Sequence, residues 1–488
     1  MIASGFFIMV RYKPPNPDAC AIILRILNKW GKVDMKKSMT SGNALKLILS
    51  FSIPLLLGNL FQQFYNMMDA AIVGQTLGSK ALASVGATSS VQFLVLGFCM
   101  GICQGFAIPV ATRFGAGDER DMRRYEFGGA VWTAILGVFI TLAAVLLCPA
   151  ILHLLQVNDE IYTNAYWYLV IIFGGIPFTL LYNYLSAILR AIGDSKTPFY
   201  FLAFSAILNI GLDFFCILVL HWGCAGAAIA TIFSQAVSGV LCLLLIHRRF
   251  ALLHLHREDM VMDGMHSKSL LGMGLPMGLQ FSITAIGSMV MQSGNNSLGT
   301  VYVSGFTAGL RIKQLMMCPF DAIGSAVSTF VSQNNGAHDI KRIHEGYRDG
   351  LLTAVIYGMF ACVVMVFFGR AMSMLFVSAK EAAVLDASAK YLRRMGFFYP
   401  ALGILITSRM MVQGLGFSSL AMFAGLIEMA ARITVTVGFV GRFGYDAITW
   451  ADQTAWTAAS LFLIPLSIHC MNVTDRKIKE AQALARLQ

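Results

Sequence analysis

The sequence contains the same block twice, at a spacing of about 222 residues. The matched landmarks keep their order along the chain, and their spacing stays between 221 and 223 residues. They are Pro54 and Pro276, Leu77-Gly78 and Leu298-Gly299, Gly115-Ala116-Gly117-Asp118 and Gly336-Ala337-His338-Asp339, Tyr168-Leu169 and Tyr391-Leu392, Pro177 and Pro400, Gly193 and Gly416, Ser195 and Ser418, and Ile210 and Ile433. An internal duplication of this length predicts two copies of one structural unit with a site between them.

The composition places both copies in a membrane. Of the 488 residues, 57% are hydrophobic and 12% are charged, and the mean hydropathy is +0.69. A soluble domain carries about 25% charged residues, so this chain has too little polar surface to face water on all sides. The 45 glycines suit closely packed helices, and the alternating segments of an outer-membrane barrel are absent from the sequence. We therefore expect an all-α polytopic membrane protein.

Apolar runs long enough to cross a bilayer occur twelve times, six in each copy. They cover 45–72, 82–110, 126–148, 162–187, 198–220, 224–246, 270–298, 303–331, 350–369, 382–408, 420–440 and 452–470. Because the number per copy is even, both copies should have the same orientation and be related by a pseudo-twofold axis along the membrane normal. We expect two six-helix lobes, 44–247 and 269–470, joined by a linker at 248–268.

Basic residues indicate which side of the membrane faces the cytoplasm. One set of connections carries Arg113, Arg120, Arg123, Arg124, Arg190, Lys196, Arg248, Arg249, Arg257, Lys268, Lys341, Arg342, Arg348, Arg476, Lys477 and Lys479. The opposite connections carry little beyond Lys80, Arg370, Lys380 and Arg442. By the positive-inside rule the first set is cytoplasmic, so both termini, the linker and a tail at 471–488 should lie inside the cell. Topology thus accounts for the net charge of +11, and no nucleic-acid partner is expected.

The first 43 residues are expected to form a poorly ordered cytoplasmic extension. Residues 1–10 are apolar but too short to span, and their basic residues follow rather than precede them, which is the wrong polarity for a signal peptide. Met35-Lys36-Lys37 is a more natural start, which makes 1–34 an upstream extension. Within it, residues 20–32 form at best a weak interfacial helix.

Acidic and amide residues stand out within the predicted spans of the first copy. Asp69 lies in the first span, and Asn209 and Asp213 lie one helical turn apart in the fifth. Thr231 in the sixth span follows Ala227 by one turn. An ionisable group at the bilayer centre costs about 3 kcal/mol by insertion scales, and no basic residue lies near the two carboxylates in their own helices. The cluster predicts a loading site for a hard cation or a proton, although interhelical hydrogen bonding is the alternative for Asn209 and Thr231.

The second copy does not repeat this cluster. Arg432 stands at the register of Asn209, with Glu428 one turn earlier, and we interpret the two as a structural ion pair. Arg311 and Lys313 in the eighth span are candidates for the central cavity, with Tyr65 of the first span, although snorkelling or cross-helix pairing is equally open for the two basic residues. The same alternatives are open for Asp321, Arg393 and Arg394.

The residues resemble the MATE (multidrug and toxic compound extrusion) family of antiporters, in its bacterial, DinF-like branch. The resemblance covers about 44–470, and the motifs that carry it are Pro54-Leu55-Leu56-Leu57-Gly58-Asn59 with Asp69, Arg190-Ala191-Ile192-Gly193-Asp194-Ser195-Lys196-Thr197-Pro198, Asn209 to Asp213, and Gln333-Asn334-Asn335-Gly336-Ala337. It implies two lobes in a V shape, in the inner membrane of a bacterium, with no cofactor. It also implies a coupling site for Na⁺ or H⁺ at Asp69, Asn209, Asp213, Ala227 and Thr231, which would be the only metal ion involved.

The resemblance implies export of organic cations and amphipathic drugs by a single chain in the lipid bilayer. No nucleotide-binding domain is found in the sequence, so an ion gradient rather than ATP should drive transport. A flippase for lipid-linked oligosaccharides, from the same superfamily, is the alternative, because Arg311, Lys313, Arg393 and Arg394 could hold pyrophosphate. A membrane enzyme is not expected, since the spans contain no paired metal or catalytic motif.

Overall fold

A computed structural model describes the backbone of residues 38–155 and 157–487. This part of the chain forms fourteen α-helices. In the first copy they are α1 Ala44–Leu77, α2 Ser79–Ala116, α3 Glu119–Leu154, α4 Asp159–Gly174, α5 Ile176–Ala191, α6 Lys196–Phe214 and α7 Gly223–Arg249. In the second copy they are α8 Gly264–Asn296, α9 Thr300–Gly336, α10 Ile340–Ser373, α11 Ala382–Gly396, α12 Tyr399–Gly414, α13 Ser418–Phe443 and α14 Tyr445–Leu487. The predicted all-α fold class is confirmed.

Ten of these helices are each long and apolar enough to cross a membrane, and the other four form two bent pairs. Helices α4 and α5 meet at 45°, and α11 and α12 meet at 56°. Counting each pair as one span gives the twelve spans predicted from the sequence. The runs at 162–187 and 382–408 are therefore bent spans rather than single straight helices.

Proline at the start of the second segment explains both bends. Pro177 and Pro400 each lie within the first two residues of their helix, α5 and α12. Proline has no N–H to donate to the preceding turn, so the helix restarts there at little cost. Gly175 at the first bend packs against α7, because a Cβ there would lie 2.6 Å from Cγ2 of Ile232.

Some of the repeated sequence landmarks form the turns that join the helices. Gly78 and Gly299 both have positive φ angles, 85° and 100°, and begin α2 and α9. Asp118 and Asp339 cap α3 and α10 in the same way, each accepting a hydrogen bond from the backbone N–H three residues later. The duplication seen in the sequence thus preserves the positions where the chain must change direction.

Two hydrophobic cores divide the helices into two lobes. One core contains residues of α2 to α7, and the other contains residues of α9 to α14. The first helix of each copy crosses between them: Ile48 and Phe51 of α1 belong to the second core, whereas Leu270 of α8 belongs to the first. Helices α1 and α8 therefore lie between the lobes and link them at one end.

Both ends of the described chain pack onto the second lobe. Met39 is 2% exposed, and Ile478 of α14 is 3% exposed, so residues 38–43 and 471–487 are not free tails. The expected linker is partly helical, since α7 continues to Arg249, a 3₁₀ turn covers Ala251–Leu253, and α8 begins at Gly264. The expectations for residues 1–34 lie outside the described residues.

Candidate functional site

A central cavity lies between the lobes and encloses about 1520 Å³, counting its open mouth. Its walls come mainly from α1, α2, α5, α6 and α7 of the first copy and from α9 of the second. Apolar side chains such as Leu55, Phe199 and Leu202 alternate with amides and hydroxyls. Tyr65, Asn209 and Thr231 line its wall, so the predicted cation cluster borders this cavity.

Helices α6 and α7 bring the polar residues of the first copy together. Asp213 and Asn209 are 0% and 2% exposed, one turn apart on α6. In the amide orientation that satisfies both of its ends, Asn209 donates to Asp213 Oδ2 at 3.0 Å and accepts from Thr231 N–H at 3.2 Å. The Thr231 hydroxyl donates to Ala227 O at 3.1 Å, and the Tyr65 hydroxyl lies 3.5 Å from Thr231 Oγ1. The cluster offers a carboxylate, an amide, a hydroxyl and a carbonyl at one place.

Asp69 on α1 faces this cluster and is close enough for its charge to act on Asp213. Each carboxylate keeps one shielded oxygen, Oδ1, that makes no hydrogen bond within the described chain. No ion pair to either carboxylate occurs among residues 38–155 and 157–487. Two unpaired carboxylates surrounded by apolar helices require a proton or a cation to be stable.

A five-residue π-helical turn, Phe215–Val219, directly follows Asp213. The wider turn shifts the backbone register at the point where α6 passes the cluster. Such turns are frequent at functional sites, because they reposition one side chain without ending the helix.

Sequence reasoning missed a tyrosine beside the cluster. Tyr168 on α4 is 4% exposed, and the charges of both Asp69 and Asp213 act on its hydroxyl. A signal was available in the sequence, because Tyr168-Leu169 is one of the repeated landmarks and is matched by Tyr391-Leu392. In the second copy the Tyr391 hydroxyl donates to Asp452 at 2.7 Å.

The second lobe contains a buried charge network in place of the cluster. Arg432 Nη2 is 3.3 Å from Glu428 Oε2, so the predicted pair forms, but it does not stand alone. Arg432 Nε is 2.9 Å from Asp452 Oδ1, and Arg409 also pairs with Glu428. Lys313 completes the network, with Nζ 2.6 Å from Asp452 Oδ2.

This network corrects the expectation for Lys313. Its side chain is buried between Asp452 and Trp456 rather than in the central cavity, because the Asp452 carboxylate compensates its charge. Arg394 is likewise paired, with Asp446. The sequence could not reveal these partners, which lie 139 and 52 positions further along the chain.

Arg311 lies on an exposed polar face of α9. Thr307, Arg311, Gln314 and Asp321 are all exposed and follow the same helical face as the cavity residue Ser325. Asp321 acts electrostatically on Arg409. This face therefore extends the cavity away from the basic end of the molecule.

At the basic end the cavity is closed by direct contact of α2 with α9. A Cβ on Gly115 would lie 2.6 Å from the Cα of Gln333, and one on Gly336 would lie 2.8 Å from the carbonyl carbon of Thr112. Gln333 fastens this end further, because its Nε2 donates to Ala191 O at 2.7 Å and its Oε1 accepts from Met39 N–H at 2.8 Å. The two helices thus meet backbone to backbone across the lobe interface.

Comparison with known proteins identifies relatives over nearly the whole chain. A family model described as MatE matches residues 54–215 and 276–438, which are the two copies. A "Probable multidrug resistance protein YpnP" of Bacillus subtilis is 33% identical over 414 residues, covering 84% of this chain and 91% of the relative. A "Probable multidrug resistance protein NorM" of Thermotoga maritima is 25% identical over 406 residues, covering 82% and 86% of the two chains.

The fold is also found in solved structures. One described as an "Outward-facing conformation of a multidrug resistance MATE family transporter of the MOP superfamily" superimposes with a TM-score of 0.84. It is 21% identical in sequence, and the match covers 91% of this chain and 99% of that one.

Proposed function

The chain belongs to the MatE family, and from that premise we propose that it is a secondary active transporter that exports amphipathic compounds, organic cations among them, in exchange for an inward-moving cation. The relatives called multidrug resistance proteins support this function. A site between two duplicated lobes is the arrangement expected for such a transporter.

The observation that carries the proposal is the pair of unpaired carboxylates Asp69 and Asp213 next to the cavity wall. A proton or Na⁺ entering the cluster neutralises the pair, with further oxygen ligands from Asn209, Thr231 and the Ala227 carbonyl. Loading changes the charge inside the first lobe and therefore biases the packing of α1, α6 and α7. The cation can shift the equilibrium only by its differential affinity for the two conformations.

Alternating access would begin from a state closed at the basic end. The Gly115–Gly336 contact and the Gln333 hydrogen bonds seal this end, while the polar face of α9 leads away from it. The basic connections assign the sealed end to the cytoplasm, with both termini inside a bacterial inner membrane. The described conformation is then outward-facing, ready to release substrate and to load the cation.

The flippase alternative is not favoured. It depended on Arg311, Lys313, Arg393 and Arg394 forming a strongly cationic cavity, but Lys313 and Arg394 are engaged in ion pairs. The carboxylate cluster has no evident task in such a protein.

Dye transport into inside-out membrane vesicles tests the proposed function. Vesicles that contain the protein are given either an acid interior or a high-Na⁺ interior, each imposed separately, and ethidium accumulation is followed by fluorescence. The proposal expects accumulation under at least one gradient and none when the gradient is collapsed by an ionophore. Accumulation equal to that of vesicles lacking the protein under both gradients would refute it.

A further inference from the structure

Arg190 is the one charged side chain among the described residues that line the enclosed part of the central cavity. It lies at the end of α5, next to Ala191, whose carbonyl accepts the Gln333 hydrogen bond that seals the basic end. Arg190 therefore sits on the cavity floor, just above the closure. Neither Asp69 nor Asp213 lines this enclosed space.

The Arg190 guanidinium has no counterion within the described chain. Its titratable neighbours are Tyr182, Cys103 and Cys242, none of which is a carboxylate. The buried arginines Arg409 and Arg432 behave differently, because each contacts a carboxylate. Arg190 is only partly withdrawn from water, at the wall of the cavity, and an arginine held there without a counterion is costly, which makes its position on the cavity floor informative.

Hydroxyl groups without partners accompany Arg190. Ser186 lies one turn earlier on α5, and Ser234 lies on α7. Both line the cavity, are at most 2% exposed, and have an Oγ that makes no hydrogen bond of ordinary geometry within the described residues. The nearby Tyr182 hydroxyl already donates to Pro198 O at 3.0 Å.

A guanidinium with unpaired hydroxyls is a donor set for a carboxylate or phosphate oxygen. Leu55, Leu202 and Met410 on the surrounding walls can cover an apolar body. The second copy has no equivalent charge, since Gln413 occupies the register of Arg190 and bonds to Gln280 at 2.7 Å. The donor set is therefore one-sided, on the wall contributed by the first lobe.

We propose that the cavity floor binds the anionic group of an amphipathic carboxylate or phosphate, which adds anionic amphipaths to the substrates of this transporter. The inference rests on the proposed function, because transport of these anions requires the same cavity to open alternately to the two sides of the membrane. Arg190 supplies the charge and the forked hydrogen bonds, and Ser186 supplies a further donor. Organic cations would occupy the upper cavity without needing Arg190.

Binding to the purified full-length protein tests this assignment apart from transport. Carboxyfluorescein is the anionic probe and ethidium the cationic one, and fluorescence anisotropy gives both Kd values. We expect Arg190→Gln to raise the Kd for carboxyfluorescein about tenfold or more, because a charge-assisted hydrogen bond is lost. Arg190→Lys should retain part of the affinity, and the ethidium Kd should change less than twofold. The surface substitution Arg120→Gln is the matched control and should alter neither.

The same variants in inside-out vesicles complete the test. Wild-type vesicles should accumulate both dyes, and Arg190→Gln should lose carboxyfluorescein transport while retaining ethidium transport, which also shows that the variant is folded. Carboxyfluorescein affinity unchanged by Arg190→Gln overturns the inference, and so does an equal loss for both dyes. Binding as predicted without transport of either dye leaves the floor site standing and refutes the proposed function instead.

Two further arms identify the source of the anionic group. If 10 mM inorganic phosphate competes with carboxyfluorescein as well as an amphipathic anion does, the floor is a small-anion site and the assignment is wrong. If phosphatidylglycerol in the detergent micelles displaces the probe while decanoate does not, the site belongs to membrane lipid, which equally overturns it. Competition by decanoate but not by phosphate supports the proposal.

Discussion

The contact between α2 and α9 predicts that one methyl group can open the basic end of the cavity. In Gly336→Ala the new Cβ would stand 2.8 Å from the Thr112 carbonyl carbon and 2.9 Å from Ala116 N. The Thr112 carbonyl oxygen would be nearer still. Non-bonded contacts are favourable at about 3.5–4.0 Å, so the helix ends must separate by more than about 1 Å. Both obstacles are backbone atoms within helices, and no side chain can rotate away to relieve the overlap.

The free-energy penalty falls only on the closed state. Overpacking of this kind costs about 1–3 kcal/mol, which lowers the closed-to-open ratio by about fivefold to a hundredfold or more. Replacing glycine by alanine in a helix also stabilises the fold by about 1 kcal/mol, but this term is equal in both conformations and cancels from their ratio. Gly115→Ala should behave similarly, because its Cβ would meet Gln333 across the same contact.

Distances between spin labels at residues 120 and 341 measure the separation directly. Both positions are exposed near the basic end, on α3 and α10, and the native cysteines are replaced beforehand. We expect a longer distance population in Gly336→Ala than in the parent protein. Gly438→Ala is the control, since no atom lies within 4 Å of its added Cβ. An unchanged distance distribution in a folded Gly336→Ala protein would contradict the assignment of this contact as the closure of the cavity at its basic end.

Three further predictions concern the charges around the two lobes. Asp452→Asn should destabilise the protein by about 3–5 kcal/mol, because it leaves the buried Lys313 without a carboxylate and Arg432 with Glu428 alone. Arg432→Met should cost less, since Asp452 keeps Lys313 and Glu428 keeps Arg409. Thermal unfolding in detergent, followed with a thiol-reactive dye, measures the two effects, and the reverse order would contradict this prediction. Tyr168→Phe should shift the pH dependence of gradient-driven dye transport with little effect on folding, and an unchanged profile would remove this tyrosine from the site. Asp259 in the linker forms an ion pair with Arg123 of α3. Burial alone would raise the pKa of Asp259, but hydrogen bonds from Arg123 and a backbone N–H lower it overall, so this ion pair should hold the linker at neutral pH and be lost only below about pH 4. Hydrogen exchange of the linker measures this, and faster exchange between pH 7 and 5 would refute it.

Local signals in the sequence predicted the fold well. Apolar runs located all twelve spans, and some of the repeated landmarks, such as Gly78 and Gly299, proved to be turns whose geometry each copy must preserve. Proline was less informative about the bends. Pro177 and Pro400 begin new helices, whereas Pro54 and Pro276 lie inside continuous ones. At both bends the proline is the second residue of the new helix, and the sequence alone does not distinguish these prolines from those inside continuous helices.

The site was predictable only where its residues share one helix or lack a counterion. Asn209 and Asp213 are one turn apart, so their convergence followed from helical spacing. Lys313 was misplaced because Asp452 lies on a helix at the far end of the chain. The sequence indicated Arg190 only as a basic residue in a connection between spans. Its position at the cavity depends on how α5 packs between the lobes, which the sequence does not show.

Ion release on substrate binding tests most directly whether Asp69 and Asp213 hold the coupling cation. Purified protein in weakly buffered solution is mixed with ethidium while a pH electrode and a Na⁺-selective dye follow the released ion. If substrate and cation bind in competition, linkage requires that wild-type protein release one of the two ions, and that Asp69→Asn and Asp213→Asn bind ethidium while releasing less or none. Release of the same amount by both variants, at unchanged ethidium affinity, would contradict the account, because the ion would then be held elsewhere.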